Sequence, residues 1–151
     1  MYCLWRPAIR TATRFAIAVH IMSLLGTDMD HEKTSEWMAS SIGVNPVIVR
    51  NITGMLRRAG LVRTHRGVAG ANASRKMSEI SLLDVFKAVE ADSEIFSIHP
   101  RPSATCPVGS RIKGTLEHAF GNVQVAMEDR LSTITMDDVL RDLRSTMALE
   151  A

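Results

Sequence analysis

The chain has 151 residues, of which 46% are hydrophobic, and its formal net charge is +2. This length fits one compact domain or a small domain with an appendage, the apolar fraction is enough for a core, and no segment resembles a disordered tail. Residues 1–76 hold 11 Lys and Arg against 4 Asp and Glu, whereas residues 77–151 hold 7 against 12. A basic half favours binding to a phosphate backbone, and chance segregation of solvated charges is the alternative.

The cysteines and the apolar runs exclude several classes of protein. Cys3 and Cys106 are too few for a disulfide framework, and their spacing matches no zinc pattern. Phe15–Leu25 is about half a membrane span, and the first residues do not resemble a secretory signal. No nucleophile–base pair, metal signature or cofactor loop stands out. We therefore expect a cytoplasmic protein that is not an enzyme and has no metal site and no membrane partner.

The first three predicted elements are helices. Residues 8–25 carry apolar side chains at intervals of three and four, which indicates one broad buried face. Ser35–Ile42 forms a second helix with Ser35 near its N-cap, and a turn follows at residues 43–45. Asn45 caps the third helix, residues 45–59, with Pro46 at the first helical position, where a missing N–H costs nothing.

The third helix has two distinct faces. We expect the core-facing side to contain Val49, Ile52, Leu56 and Ala59, which repeat at helical spacing. The opposite side contains no acidic residue, which favours contact with a DNA groove, whereas an ordinary solvated face is the alternative. Its members are Val47, Arg50, Asn51, Gly54, Arg57 and Arg58.

A β-hairpin is predicted directly after this helix, over residues 61–75. Leu61–His65 is rich in β-branched residues, Gly67 and Gly70 supply a turn, and Ala71–Arg75 returns as the partner strand. Arg66 then lies at the hairpin tip, where an arginine can reach phosphate or a narrow minor groove. Helix, short turn, helix and hairpin together predict a winged helix-turn-helix, in which the second helix of the motif enters the major groove.

The remaining half predicts helices with a different role. Ser81–Asp84 has the form of a capping box and opens a short helix through Val89, and residues 91–109 form a proline-containing loop. A long helix runs from about residue 110 to 131, and Thr135–Asp138 opens a closing helix through Leu143. The long helix is too apolar for the small domain to cover, so pairing with a second copy is expected, with an intrachain core helix as the alternative.

These elements predict a mainly α fold with a small β-wing, divided into three parts. Residues 8–90 form the winged helix-turn-helix domain, residues 91–109 a loop, and residues 110–146 the dimerisation helix and the closing helix.

In order and spacing, the chain resembles the Rrf-two family of bacterial winged-helix regulators over nearly its whole length. The start of the third helix, Asn45-Pro46-Val47, and the block Cys106–Gly109 are most similar to the YwnA-type branch of that family. The other matching segments are Thr13–His20, Ser35–Gly43, Leu56–Val62, Arg66-Gly67, Gly70 and Ile80–Val85.

The resemblance implies a winged helix-turn-helix with a long dimerisation helix, and operator binding by a homodimer that usually represses nearby genes. Some cluster-binding relatives carry three closely spaced cysteines between the wing domain and the long helix. Here residues 91–110 contain only Cys106, which matches the last of the three. We therefore expect no cofactor, and no iron–sulfur cluster held in the usual way.

Cys106 is nevertheless a candidate redox sensor. It precedes Pro107 at the start of the long helix, where the helix dipole would lower the pKa of the thiol and favour thiolate chemistry. A small, inert, packed side chain is the alternative.

The predicted function is that of a homodimeric, sequence-specific DNA-binding regulator, expected to be a repressor, that reads a pseudo-palindromic operator in double-stranded DNA. Asn45 and Val47 would lie nearest the base edges, the amide facing adenine and the apolar group a thymine methyl. The alternative is a winged-helix module that binds protein without specific DNA binding. The predicted DNA-binding residues are Arg14, Ser35, Asn45, Val47, Arg50, Asn51, Arg57, Arg58 and Arg66.

Overall fold

The computed structural model describes residues 11–30, 32–90 and 95–150 of the chain. The predicted helix start at residue 8, Cys3 and residues 91–94 of the predicted loop lie outside these ranges. Six helices and a hairpin are described in chain order: α1 Thr11–Leu25, α2 Ser35–Ile42, α3 Pro46–Arg58, β1 Val62–Arg63, β2 Asn72–Ala73, α4 Leu82–Glu90, α5 Gly109–Ser132 and α6 Met136–Glu150, with a short 3-10 turn at Met77–Glu79 before α4.

Local signals define the helix-turn-helix. The Thr34 hydroxyl accepts a hydrogen bond from the Trp37 N–H at 3.2 Å and caps α2, so the cap lies one residue before Ser35. Gly43 ends α2 in the left-handed conformation, with φ of 76°, which glycine adopts without steric cost. The Asn45 side chain caps α3, and Pro46 follows at its first position. The predicted turn between α2 and α3 is confirmed.

The wing is shorter than its sequence suggests. Val62 pairs with Ala73 and Arg63 with Asn72 in an antiparallel hairpin, whereas five residues were expected in each strand. The Ala71 N–H donates instead to the Lys33 carbonyl at 3.2 Å, which ties the returning strand to the residue before the α2 cap. Gly70 has φ of 93°, and a Cβ there would lie 3.3 Å from the Lys33 backbone nitrogen, so a side chain would strain this junction.

One core joins the helix-turn-helix to α4 and to the start of α6. Ile21 and Met22 of α1, Leu56 of α3, Val85 of α4 and Met136 of α6 all have under 2% of their surface exposed. Burial of such side chains supplies about 1.5–3 kcal/mol each, which stabilises the small domain. The predicted mainly α fold with a small β-wing is confirmed.

Two capping boxes lie side by side at the starts of α4 and α6. The Asp84 carboxylate accepts from the Ser81 N–H at 2.8 Å, and the Asp138 carboxylate accepts from the Thr135 N–H at 2.9 Å. Hydrogen bonds from the N–H and hydroxyl of Thr135 hold the pKa of Asp138 below its ordinary value. Two backbone hydrogen bonds, Leu82 N–H to the Ile134 carbonyl and Met136 N–H to the Ile80 carbonyl, both 2.8 Å, join the two helix starts.

The helices α5 and α6 extend beyond this core. The predicted limits of the long helix are nearly those observed, and no residue of α5 is buried. In α6 only Met136 and Leu140 are buried, and the helix continues seven residues past the predicted end at Leu143. Within the described residues, no helix is both long and apolar enough to cross a membrane.

One prediction about the α3 core face is wrong. Val49, Ile52 and Leu56 are buried as expected, but Ala59 is exposed and Thr53 is buried. The reason is that Ala59 is the C-cap, where the chain leaves the helix axis toward Gly60 with φ of 75°. Thr53 lies one turn after Val49 and therefore takes the inward position.

Candidate nucleic-acid interface

The α3 helix presents a cationic, polar side to solvent. Val47 is 50% exposed at its start, and Arg50, Asn51, Arg57 and Arg58 are exposed along it. The buried side chains of the same helix lie on the opposite face. Apart from Ala59 and Thr53, the two faces separate as predicted, and the major groove of DNA is wide enough to admit an α-helix.

Asn45 has a structural role as well as a predicted recognition role. Its Oδ1 accepts a hydrogen bond from the Val47 N–H at 2.9 Å, which uses one of the two lone pairs of that oxygen. The second lone pair and the amide N–H groups stay free for a base edge. The cap therefore fixes the orientation in which the amide is presented at the start of α3.

Arg50 forms an ion pair with a residue of the preceding helix. Its NH1 donates to Oε1 of Glu36, in α2, at 2.9 Å, and the side chains are 51% and 68% exposed. The outward face of α3 itself has no acidic residue, as expected. Glu36 of the preceding helix, however, places a carboxylate beside that face. A solvent-exposed pair of this kind contributes about 0–1 kcal/mol to folding, and Glu36 also lies in the first turn of α2, where a carboxylate favours the helix dipole.

Arg57 and Arg58 lie near the end of α3 with different contacts. The Arg57 NH1 donates to the Thr64 hydroxyl at 3.4 Å, which draws this guanidinium toward the residue after β1. Arg58 instead folds back along the helix, so that its NH1 lies 3.6 Å from the position that a Cβ on Gly54 would occupy. The space that Gly54 leaves on the outward face is therefore covered by Arg58.

Ser35, Glu36, Arg50 and Thr64 line one concavity of about 250 Å³ between α2, α3 and the wing. Ser35 is the first residue of α2, where helix N–H groups have no acceptor within the helix and can bind an anion. Arg66 is exposed in the hairpin turn, beside Gly67 with φ of 78°. The structure thus brings Ser35 and Arg50 together and leaves Arg66 free at the tip of the wing.

Arg14 is not part of this group. Its NH1 donates to the Val89 carbonyl at 3.0 Å and lies 3.8 Å from Oε2 of Glu90, whose side chain is almost wholly buried. The guanidinium thereby neutralises a buried carboxylate and binds the carbonyl end of α4, where a cation also favours the helix dipole. These contacts give Arg14 a packing role, and its predicted contact with DNA stays a prediction.

Cys106 lies at the foot of α5, as the sequence indicated. Its carbonyl accepts from the Ser110 N–H at 2.9 Å, and its side chain is exposed, which argues against the packed alternative. The backbone N–H groups of Gly109 and then Val108 lower the pKa of the Cys106 thiol below its ordinary value. More thiolate is therefore present near neutral pH than on an unperturbed cysteine.

This lowered pKa gives a testable result. In a Cys3→Ser chain, the rate of alkylation of Cys106 by iodoacetamide should rise with pH through a midpoint below that of the same chain unfolded in urea. The physical reason is that unfolding removes the N–H donors of Gly109 and Val108 from the thiolate. Identical midpoints in the folded and unfolded chains would show that the helix terminus does not activate the thiol.

Within the described residues, the side chains do not supply the donor set of an iron–sulfur cluster. Such clusters are held by four cysteine thiolates, or by histidines in place of some of them. Cys106 is the one cysteine within the described ranges, and no group of three or more His, Cys, Asp or Glu there has the geometry of a metal site.

Glu36 and Thr64 are the residues that sequence reasoning missed. Both lie outside α3 and reach Arg50 and Arg57 across element boundaries. The separation of Arg50 from Glu36 is 14 residues, and no local periodicity connects positions on two different helices.

The comparisons with known proteins agree with this geometry. Residues 11–142 match the Rrf2 family, whose description is iron-dependent transcriptional regulator. The HTH-type transcriptional regulator YwnA of Bacillus subtilis (strain 168) is 39% identical over 131 residues, which are 87% of this chain and 97% of that protein.

Two solved structures share the fold. A crystal structure described as that of a DNA binding protein is 37% identical, covers 84% of this chain and 98% of its own, and has a TM-score of 0.69. IscR of T. potens is 20% identical, covers 90% of this chain and 89% of its own, and has a TM-score of 0.65. The matching family and the two relatives at 39% and 37% identity are described as transcriptional regulators or DNA-binding proteins and not as enzymes. With the family matched over residues 11–142 and a relative at 39% identity, this chain belongs to the Rrf2 family of DNA-binding transcriptional regulators.

Proposed function

We propose that the protein is a homodimeric repressor that reads a pseudo-palindromic operator through residues 45–59 and the wing at residues 61–75. The observation that carries this proposal is the outward face of α3, on which Arg50, Asn51, Arg57 and Arg58 are all exposed. Arginine and asparagine are the side chains that most often form bidentate contacts with guanine and adenine. A DNA partner also implies action in the cytoplasm.

The exposed residues divide into base-reading and positioning groups. Asn45, Val47, Arg50 and Asn51 lie in the first half of the helix, which contacts base edges in helix-turn-helix proteins. Ser35 at the α2 terminus and the arginines that follow on α3 and the wing bind phosphate and fix the orientation on the duplex. This second group consists of Ser35, Arg57, Arg58 and Arg66.

The α5 helix supports pairing with a second copy. It has 24 residues, none of which is buried, and its apolar side chains Val123 and Val125 are more than half exposed. In α6, Leu143 and Met147 are also exposed, at 43% and 68%. Exposed apolar side chains along two helices favour burial against an identical surface, because closed two-fold dimers are the commonest assemblies. We assign residues 8–90 to DNA reading and residues 110–146 to dimerisation.

Salt-dependent DNA binding tests this function against the alternative of a protein-binding winged helix. We expect the purified protein to bind calf-thymus DNA in fluorescence anisotropy, with an affinity that falls by about 10³-fold or more between 50 and 200 mM salt if six or more phosphates are contacted. A duplex from upstream of its own coding region should bind more tightly at the same salt. Absence of salt-sensitive binding would favour the protein-partner alternative.

A further inference from the structure

The ion pair between Glu36 and Arg50 places a negative charge where a DNA-binding protein meets a polyanion. The carboxylate is 68% exposed and lies 2.9 Å from the guanidinium, on the rim of the concavity between α2, α3 and the wing. A residue selected only for affinity at this position would be neutral or basic, because a carboxylate repels phosphate. The position of Glu36 therefore needs an explanation other than tighter binding.

The geometry leaves most of the Arg50 donors available. A guanidinium carries five N–H groups in a planar fork, and only NH1 is engaged, by one carboxylate oxygen. Two parallel N–H groups on the remaining edge are enough for the O6 and N7 acceptors of guanine. The contact with Glu36 favours one direction of this fork, which lowers the conformational freedom lost when a base is bound.

The same contact changes which acceptor Arg50 prefers. A phosphate carries a full charge, so its attraction to Arg50 is largely cancelled by the neighbouring carboxylate. A guanine edge is neutral and binds through directed hydrogen bonds, which depend less on the net charge of the pair. The free carboxylate oxygen of Glu36 can also accept an N–H from cytosine or adenine, but it cannot bind a phosphate.

We propose that Glu36 is a positioning residue that sets sequence specificity by reserving Arg50 for a base edge and excluding it from the phosphate backbone. This inference rests on the proposed function and adds to it a residue outside the recognition helix. In this role, Glu36 weakens non-specific DNA binding and improves discrimination between DNA sequences.

The test compares the wild type with Glu36→Gln and Arg50→Ala in selection from a randomised duplex library, followed by anisotropy on the selected duplex and on calf-thymus DNA. Glu36→Gln should tighten binding to calf-thymus DNA by roughly fivefold, the effect of one exposed charge at contact distance. Its salt dependence should steepen by about 0.9, the contribution of one additional phosphate. The sequence selected by Glu36→Gln should show no base preference at the position where the sequence selected by Arg50→Ala also shows none.

Glu79→Gln is the matched control, because it removes the same charge from an exposed residue in the 3-10 turn before α4. It should leave both the selected sequence and the salt dependence unchanged. The role of Glu36 would be overturned if Arg50→Ala lost a base preference while Glu36→Gln kept it, with an unchanged ratio of affinities for the selected duplex and calf-thymus DNA. That result would leave the proposed function standing. If the wild type selects no sequence from the library, both proposals fail.

Discussion

Replacing Arg50 and Arg57 together by alanine should weaken binding to the protein's own operator by about 30-fold or more, since each lost base or phosphate contact costs roughly 1–3 kcal/mol and about 1.4 kcal/mol corresponds to tenfold. The salt dependence of binding should also become shallower, because fewer phosphates are neutralised. Both side chains are exposed, so the fold should be retained. Gel shift and anisotropy over a salt series measure both effects.

Lys87→Ala combined with Arg101→Ala is the control for this experiment. These two residues are exposed on α4 and on the 95–108 loop, outside both the outward face of α3 and the residues assigned to dimerisation, and their removal changes the net charge by the same amount. The control variant should bind nearly as the wild type does. Equal losses in the two double variants would mean that binding depends on total charge and not on the outward face of α3.

The second large effect is expected on assembly. Val123→Glu should convert the protein to a monomer and lower operator affinity by about 10²–10⁴-fold, because the second half-site is no longer bound by the same assembly. Val123 is 52% exposed in the described chain, and glutamate has the higher helix propensity, so α5 itself should form normally. Sedimentation analysis and circular dichroism separate the loss of the dimer from a loss of folding.

Ser78→Glu provides the comparison, since it adds one negative charge at an exposed position of the 3-10 turn and not on α5. It should sediment as the wild type does. A Val123→Glu protein that is still dimeric would place the subunit interface elsewhere than on this face of α5.

The elements that the sequence predicts best are those with local signals. The caps at Asn45, Ser81 and Thr135 each combine an oxygen-bearing side chain with a helix start, and all three form the expected hydrogen bonds. The inward and outward faces of α3 follow from its periodicity for the same reason. Information within one turn of helix is enough to specify these features.

Contacts between elements account for what the sequence did not predict. The Arg14 guanidinium binds Glu90, 76 residues later, and no local pattern distinguishes such a partner from a DNA phosphate. The pair of Glu36 and Arg50 was not predictable for the same reason, because it depends on how α2 packs against α3. The late end of α6 is a different case, because Met147 continues the helical spacing of Met136, Leu140 and Leu143, so the sequence did carry a local signal beyond the predicted end.

The paired capping boxes have a mechanical consequence. Two backbone hydrogen bonds tie the start of α6 to the start of α4, and they resist rotation of α6 relative to the helix-turn-helix. In the proposed dimer, the subunit interface would therefore fix the distance between the two copies of α3. The spacing of the two operator half-sites would then follow from how the subunits pair, and about one turn of B-DNA is the spacing expected for a helix-turn-helix dimer.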